Sequence, residues 1–219
     1  MTPRREQGEQ AVTLLELLVS VVTVAILLAV SFSAGKGVFA AGQAARCRSN
    51  MRQIGMALSS YALENRDCYP PAVLDSVNWK YWDMDAIWQY AMGTSPTAQM
   101  NYYTNYKTFI FCCPSSDKSR SASYGINVMF PAGVKNYYEP RKRAAVANPA
   151  FCLLLGEGVN HAIDSWWASS PPGQPVSFPH GGAMNLLFMD LHMETRKPSE
   201  IPKGGWSSPE STDPFWTGH

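Results

Sequence analysis

The sequence is poor in charged side chains, and the charges that it has nearly cancel. Lys and Arg together number 18 and Asp and Glu together number 17, so the formal net charge at pH 7 is +1. No basic stripe stands out along the chain. Because nucleic-acid-binding domains carry a concentrated positive surface, this composition excludes that class, and we expect no nucleic-acid partner.

Recognisable catalytic and cofactor motifs are also missing. The four histidines are scattered, and no Gly-rich phosphate loop is present. No nucleophile stands in an identifiable set with a general base and a residue that orients that base. We therefore predict a non-enzymatic protein that needs no cofactor.

The cysteines do not form a metal-binding pattern either. The chain has five, namely Cys47, Cys68, Cys112, Cys113 and Cys152, and their spacing matches no zinc template. An odd number leaves at least one thiol unpaired within a monomer. One or two disulfides are expected if the domain lies outside the cytoplasm.

What the sequence does have is one long apolar segment near its start. Residues 12–34 contain 14 Val, Leu, Ile and Phe residues and a single charge, Glu16. A helix that crosses a bilayer needs about 20 predominantly apolar residues. The segment therefore predicts a transmembrane helix, and Glu16 is the feature in it that needs an explanation, because ionisable groups in such segments are usually functional.

The register around Glu16 carries a resemblance to a known family. A polar stretch, residues 1–11, precedes V-T-L-L-E at positions 12–16. This resembles the N-terminus of type IV pilins and type II secretion pseudopilins, where a leader ending in a small residue precedes F-T-L-x-E. Ala11 stands where Gly is usual, and Val12 where Phe is usual.

The resemblance implies a processing step and an assembly role. A prepilin peptidase would cleave between Ala11 and Val12 and methylate the new terminus. That amine would then neutralise Glu16 of a neighbouring pilin or pseudopilin subunit, because a buried carboxylate is tolerated only when it is paired or protonated. The implied location is the bacterial inner membrane, with a single pass and a periplasmic or extracellular globular domain.

Two other interpretations of the same segment stay open. Arg4 and Arg5, the apolar run 17–30 and the small-residue site at 38–40 could form an ordinary secretory signal peptide. The segment could also be a plain membrane anchor. Neither alternative has a use for Glu16.

Helical periodicity continues after the apolar segment. Glycines at 35, 37 and 42 weaken the helix, and an apolar stripe with spacings of 4, 3, 4 and 3 follows. The members of the stripe are Cys47, Met51, Ile54, Leu58 and Tyr61. Residues 35–66 are therefore predicted to extend the membrane helix as an amphipathic helix that packs on the domain formed by residues 67–196.

A narrower resemblance extends beyond the N-terminus. Residues 45–65 resemble the pilin-like proteins with a long C-terminal domain that are abundant in planctomycetes and verrucomicrobia. The matching positions of the helix are Cys47, Asn50, Gln53, Ile54, Gly55, Tyr61, Asn65 and Pro70. Further matches are an F-x-C-P element (Phe111, Cys113, Pro114), S-Y-G-x-N at 123–127 and an H-x9-D-G signature with His180 and Asp190 in register, where Leu191 replaces the Gly.

This resemblance and the exported location imply a disulfide that involves Cys113, with Cys47 and Cys68 as the candidate partners. The expected fold is α+β, pilin-like, with the long helix on an antiparallel sheet. The strands are expected at 108–112, 150–155, 184–189 and 191–196, and a short helix is expected at 81–92. A Pro/Gly/Ser-rich tail, 197–219, should be loosely held, with Trp206 and Trp216 as candidates for docking.

One cluster of polar residues offers a metal site as an alternative. Asp190, His192 and Glu194 alternate on one strand face, about 6.5–7 Å apart per step, so a single cation would also need His180. We instead expect a polar face with charge pairs, and a hydrogen bond between His180 and Asp190 that closes a turn. The competing function is a membrane-anchored extracytoplasmic binding protein or hydrolase with a site near His180, Asp190 and His192.

Overall fold

The computed structural model describes residues 13–78, 80–94, 110–116, 123–130, 137–158, 161–164, 176–202 and 213–219, without the side chains of residues 30–36 and Met84. The predicted leader and the junction between Ala11 and Val12 lie outside these residues. The protein combines helices with antiparallel sheets, so the predicted α+β class is confirmed. The chain forms two compact units, Met1–Ala41 and Gly42–His219, and each is described by itself.

The first helix, α1, runs from Leu14 to Glu64 and has 51 residues. It begins with a capping box, the motif in which a Thr and a Glu three residues later satisfy each other's backbone N–H groups. Thr13 Oγ1 accepts from the Glu16 N–H at 3.3 Å, and Glu16 Oε2 accepts from the Thr13 N–H at 3.0 Å. The sequence T-L-L-E at residues 13–16 is thus also a signal for the start of a helix.

In the first unit, the large apolar side chains of α1 between Leu14 and Leu28 are exposed. Leu18, for example, is 61% exposed, and the same holds for its aliphatic neighbours from Leu14 to Leu28. Within the described ranges, no helix is both long and apolar enough to cross a membrane.

The second unit is built on a five-stranded sheet with the order β7-β4-β6-β8-β9. Its strands are β4 (Tyr124–Asn127), β6 (Leu153–Glu157), β7 (Ala162–Ile163), β8 (Met184–Phe188) and β9 (Met193–Arg196). All neighbours pair antiparallel except β4 and β7, which are parallel. Two small antiparallel ladders, formed by β1 (Cys68–Tyr69) with β5 (Arg141–Lys142) and by β2 (Val73–Asp75) with β3 (Lys80–Tyr81), lie outside this sheet.

The C-terminal part of α1 packs on this sheet through the predicted stripe. Cys47, Met51, Ile54 and Leu58 are fully buried in one core cluster that also contains Leu155 of β6 and Leu187 of β8. Gly55 permits the close approach, because a Cβ atom there would lie 2.6 Å from Leu187 Cδ2. The 4-3-4 spacing therefore predicted both the helix and the face that it buries.

Several predicted element bounds are wrong. Ile110, Phe111 and Cys112 form a turn and not a strand, while 108 and 109 lie outside the described residues. The physical reason is that the Cys112 carbonyl accepts a hydrogen bond from Asn50 Nδ2 of α1, and Phe111 stacks on Trp88. The strand expected at 150–155 begins later, at Leu153, and extends to Glu157.

The predicted helix at 81–92 is confirmed in large part. A π-helical turn, Trp82–Ala86, is followed by α2, Trp88–Met92. The described end of the tail is held firmly, contrary to expectation. It forms α3, Pro214–Thr217, and fully buried Trp216 donates from its Nε1 to the Pro202 carbonyl at 3.0 Å. Trp216 therefore docks as predicted, and Trp206 lies outside the described residues.

Candidate functional site

A disulfide ties α1 to the turn that precedes β4. It joins Cys47 and Cys113, which are separated by 66 residues and are both fully buried. The prediction of a disulfide with Cys113 is confirmed, and its partner is Cys47 rather than Cys68. Within the described residues, Cys68, Cys112 and Cys152 form no disulfide.

Beside the disulfide lies a buried carboxylate, Glu157, at the end of β6. Its Oε1 atom is 2.7 Å from His180 Nε2, and its Oε2 atom accepts from the Asn185 N–H at 2.7 Å. Burial raises the pKa of Glu157, and the hydrogen bonds from His180 and Asn185 oppose that rise. The carboxylate is fully buried and the His180 side chain is 7% exposed, so solvent barely reaches the pair.

A tight turn places His180 against Glu157. The His180 N–H donates to the Ala183 carbonyl at 3.1 Å, and the Ala183 N–H donates to the His180 carbonyl at 3.2 Å. Gly181 and Gly182 between them have φ values of +64° and +83°. A two-residue type I′ hairpin turn requires positive φ at both central positions, which explains the H-G-G-A sequence.

His180 also contacts the disulfide, since its Nε2 atom lies 3.5 Å from Cys113 Sγ. One potential ligand atom from each of Cys47, Cys113, Glu157 and His180 lies within 4.8 Å of the others. We call these four residues the buried cluster. They come from α1, the turn before β4, the end of β6 and the turn before β8, so the fold brings together groups that are far apart in sequence.

The predicted hydrogen bond between His180 and Asp190 is wrong. His180 precedes β8 and Asp190 follows it, and a strand of that length spans roughly 17 Å. Asp190 Oδ1 instead accepts from the His192 N–H at 3.0 Å and contacts His192 Nδ1. The three residues of the alternative metal site, His180, Asp190 and His192, therefore lie at opposite ends of β8 and do not form one site.

Charge pairs link Asp190, His192 and Glu194, as predicted. The three residues do not share one strand face, however, because Asp190 lies in the turn and β9 begins only at Met193. His192 Nε2 lies 3.4 Å from Glu194 Oε1, and Arg196 Nε donates to Glu194 Oε2 at 2.6 Å. The hydrogen bond from Arg196 lowers the pKa of Glu194. Burial raises the pKa of Asp190, but the hydrogen bonds from His192 outweigh it, so the net direction is downward.

Leu191 occupies the turn position where the resembled family has Gly. Its φ is +70°, a left-handed conformation that β- and γ-branched residues adopt at a cost. The expectation that a strand begins at Leu191 is wrong, because the chain reverses there and β9 begins only at Met193. The turn persists without the glycine that would favour it.

The remaining motif residues have structural roles in the described part of the chain. Asn50 holds the Cys112 carbonyl, as described above, and Pro114 lies in the turn in which the Ser116 N–H donates to the Cys113 carbonyl at 3.0 Å. Gln53 Nε2 lies 3.4 Å from Ser49 Oγ of the same helix. Glu16 caps α1.

Sequence reasoning missed Glu157, the residue that completes the buried cluster. The available signal was an acidic residue directly after the apolar run A-F-C-L-L-L-G, since a charge at the end of a buried strand needs a partner. A second buried pair was also missed. His161 Nδ1 lies 3.1 Å from Asp83 Oδ2, and the ring of Tyr81 stacks on His161 at 3.9 Å.

Comparison of the chain with protein-family models, with curated proteins and with solved structures finds no match.

Proposed function

We propose that the chain is a structural subunit of a type IV pilus or of a type II secretion-like pseudopilus, with a pilin-like architecture. The observation that supports the proposal is the difference in burial between the two parts of α1. Its C-terminal part buries Met51, Ile54 and Leu58 in its own domain, whereas its N-terminal part exposes a run of aliphatic side chains such as Leu18. Exposed apolar surface of that extent marks a membrane or protein interaction site.

In this proposal the exposed part of α1 has two successive environments. It resides in the inner membrane as a single span before assembly, and it packs against other pilin or pseudopilin subunits afterwards. Both environments cover the same aliphatic surface, so a subunit loses little by moving from one to the other.

The capping box at Glu16 is compatible with an assembly contact. Both contacts from Thr13 go to one oxygen, Oε2, at 3.0 and 2.9 Å. A carboxylate has about four lone-pair sites on its two oxygens. After cleavage between Ala11 and Val12, Glu16 could cap its own helix and still accept a hydrogen bond from the terminal amine of a neighbouring subunit.

The disulfide supports a domain outside the cytoplasm, because such bonds persist mainly in oxidising compartments. The competing function, an anchored binding protein or hydrolase, has less support. Its predicted residues do not form one site, because Asp190 and His192 contact each other while His180 contacts Glu157. The pair of His180 and Glu157 is nearly closed to solvent.

Processing tests this proposal. The full-length chain is co-expressed with a prepilin peptidase, and the membrane-bound product is analysed by intact mass and N-terminal sequencing. We expect a chain that begins at N-methylated Val12. The matched control is Ala11→Phe, which removes the small residue before the cleavage point and should leave the leader attached.

Two other results would count against the proposal. A chain that starts near Ala41 would indicate an ordinary signal peptidase, and a chain that keeps Met1 in the presence of an active peptidase would indicate a plain anchor.

A further inference from the structure

We propose that the buried cluster is a redox-gated zinc site, in which the reduced forms of Cys47 and Cys113 bind one Zn²⁺ together with Glu157 and His180. Nothing in the role as an assembly subunit requires this site, so the two proposals can fail independently. The disulfide and the metal would be alternative cross-links at the same place in the fold.

The donor set fits zinc better than other common metals. Two thiolates, one imidazole and one carboxylate make a set of four ligands with soft, borderline and hard donor atoms, and zinc binds all three types tetrahedrally. With zinc–ligand bonds of about 2.0–2.3 Å, neighbouring ligand atoms lie about 3.3–3.8 Å apart. In the buried cluster, His180 Nε2 is 3.5 Å from Cys113 Sγ and 2.7 Å from Glu157 Oε1, so shifts of about 1 Å are needed.

The largest movement needed is the separation of the two sulfur atoms, which becomes possible when reduction breaks the Sγ–Sγ bond. A dithiol or phosphine reductant delivers two electrons, the Sγ–Sγ bond breaks, and two protons, from the dithiol or from one water molecule, give two thiols. The dithiol becomes a disulfide, or the phosphine takes the oxygen of that water molecule and becomes a phosphine oxide. Zn²⁺ then replaces both thiol protons, which leave to solvent, and binds the two thiolates without any further change of oxidation state.

The groups around the cluster are arranged to support a metal. The Asn185 N–H already holds Glu157 Oε2, the oxygen that His180 does not contact, as an outer partner of a ligating carboxylate should. His180 is fixed by the Gly181–Gly182 turn, and Glu157 by β6. The ligands therefore come from ordered elements and not from a single mobile loop.

The consequence concerns the folding of the second unit in reducing surroundings. Without a cross-link, two thiols would face a carboxylate and a histidine in a closed core. A zinc ion would satisfy all four groups and would keep α1 attached to the sheet before the disulfide forms. A disulfide oxidant would then accept two electrons and, with two protons from solvent, become a dithiol, while the two thiolates form the Sγ–Sγ bond and Zn²⁺ leaves to solvent.

The test compares oxidised and reduced full-length protein in detergent, with Zn²⁺ and Co²⁺ as the probes and a phosphine as the reductant. We expect the reduced protein to bind one metal ion per chain, to release up to two protons per Zn²⁺, and to show the thiolate-to-cobalt charge-transfer band and strong visible bands of a tetrahedral site. The oxidised protein should show none of these. Zinc should raise the melting temperature of the reduced protein only.

Variants identify the ligands. Cys47→Ser, His180→Ala and Glu157→Gln should each weaken zinc binding by more than the loss of about 10–100-fold that is typical of an outer partner. Asn185→Ala keeps the backbone N–H that bonds Glu157 Oε2 and should therefore weaken zinc binding less than any of these three variants. Cys68→Ser, Cys112→Ser and His192→Ala are controls that should bind zinc like wild type. Circular dichroism before metal addition identifies any variant that does not fold.

The comparison of the two redox states of the wild-type chain does not depend on any variant. The proposal is overturned if the reduced wild-type protein binds no zinc, if the oxidised protein binds it equally well, or if binding depends on Cys112 or Cys68 instead of Cys47.

Discussion

The two parts of α1 carry similar aliphatic side chains but give them opposite surroundings. Leu18 in the first unit is 61% exposed, whereas Leu58 in the second is fully buried. The difference follows from the spacing of the residues. The first part is apolar on all sides, which no single packing face can cover, whereas the second has one stripe that fits one sheet. One helix thus buries its apolar side chains in its own domain at one end and exposes them at the other.

The largest expected effect is removal of the cross-link that fixes the second part. A disulfide that closes a loop of 66 residues stabilises a protein by about 4 kcal/mol in the chain-entropy model. Cys47→Ala combined with Cys113→Ala should therefore lower the free energy of unfolding of the second unit by about that amount, measured by chemical denaturation without metal. Cys68→Ser is the control and should change it by less than about 0.5 kcal/mol.

The second prediction compares one leucine from each part of α1. Leu58→Ala should cost about 3 kcal/mol, because it removes a fully buried side chain and leaves a cavity. Leu18→Ala should cost less than about 0.5 kcal/mol in the same denaturation assay, because no part of the folded domain is lost. Equal costs for both substitutions would contradict the division of α1.

Substitution of two glycines of α1 by alanine should change the free energy of unfolding by smaller amounts and in opposite directions. Gly55→Ala would place its Cβ 2.6 Å from Leu187 Cδ2 in a filled core, and the overpacking should outweigh the gain in helix propensity, for a net loss of about 1–2 kcal/mol. Gly42→Ala has no atom within 4 Å and should stabilise the helix by about 0.5–1 kcal/mol. Stabilisation by both substitutions would show that α1 does not approach β8 closely.

The last of these effects concerns Leu191, which packs on the core below α1 in a left-handed conformation. Leu191→Ala keeps the backbone strain and loses apolar burial, whereas Leu191→Gly loses the burial but relieves the strain. The Gly variant should therefore be more stable than the Ala variant by about 1 kcal/mol. The reverse order in thermal denaturation would mean that the turn is not strained.

Elements defined by local spacing could be predicted from the sequence, whereas elements that depend on distant partners could not. The stripe from Cys47 to Tyr61 could be predicted because helical spacing is local and repeats several times. Residues 110–112 were mistaken for a strand because their hydrogen bonds go to Asn50, a partner 62 residues away. The start of β9 was placed two residues too early because Leu191 takes a conformation that a leucine rarely adopts.

The buried cluster could likewise be predicted only in part, because its members are distant in sequence. Cys113 and His180 could be singled out from family elements, and the disulfide was expected. Glu157 was missed because nothing in its neighbourhood in sequence indicates that His180 and Asn185 would lie against it. The wrong pairing of His180 with Asp190 came from a spacing along the chain, and a strand lies between them.

The role of Glu16 is the central claim, and two variants separate its two possible contributions. Glu16→Gln keeps the capping box, in which Gln serves as well as Glu, but removes the charge. Thr13→Val keeps the charge but removes the hydroxyl that bonds Glu16 Oε2. Both variants should reach the membrane like wild type, which fractionation checks.

Site-specific crosslinking of each variant with wild-type subunits, in cells that contain the assembly machinery, is the most direct measurement. We expect Glu16→Gln to lose intersubunit crosslinks because it cannot form an ion pair with a neighbour's terminal amine, whereas Thr13→Val should retain them. If Glu16→Gln crosslinks like wild type and only Thr13→Val fails, then Glu16 is a helix cap and nothing more, and the proposal of an assembly subunit is contradicted.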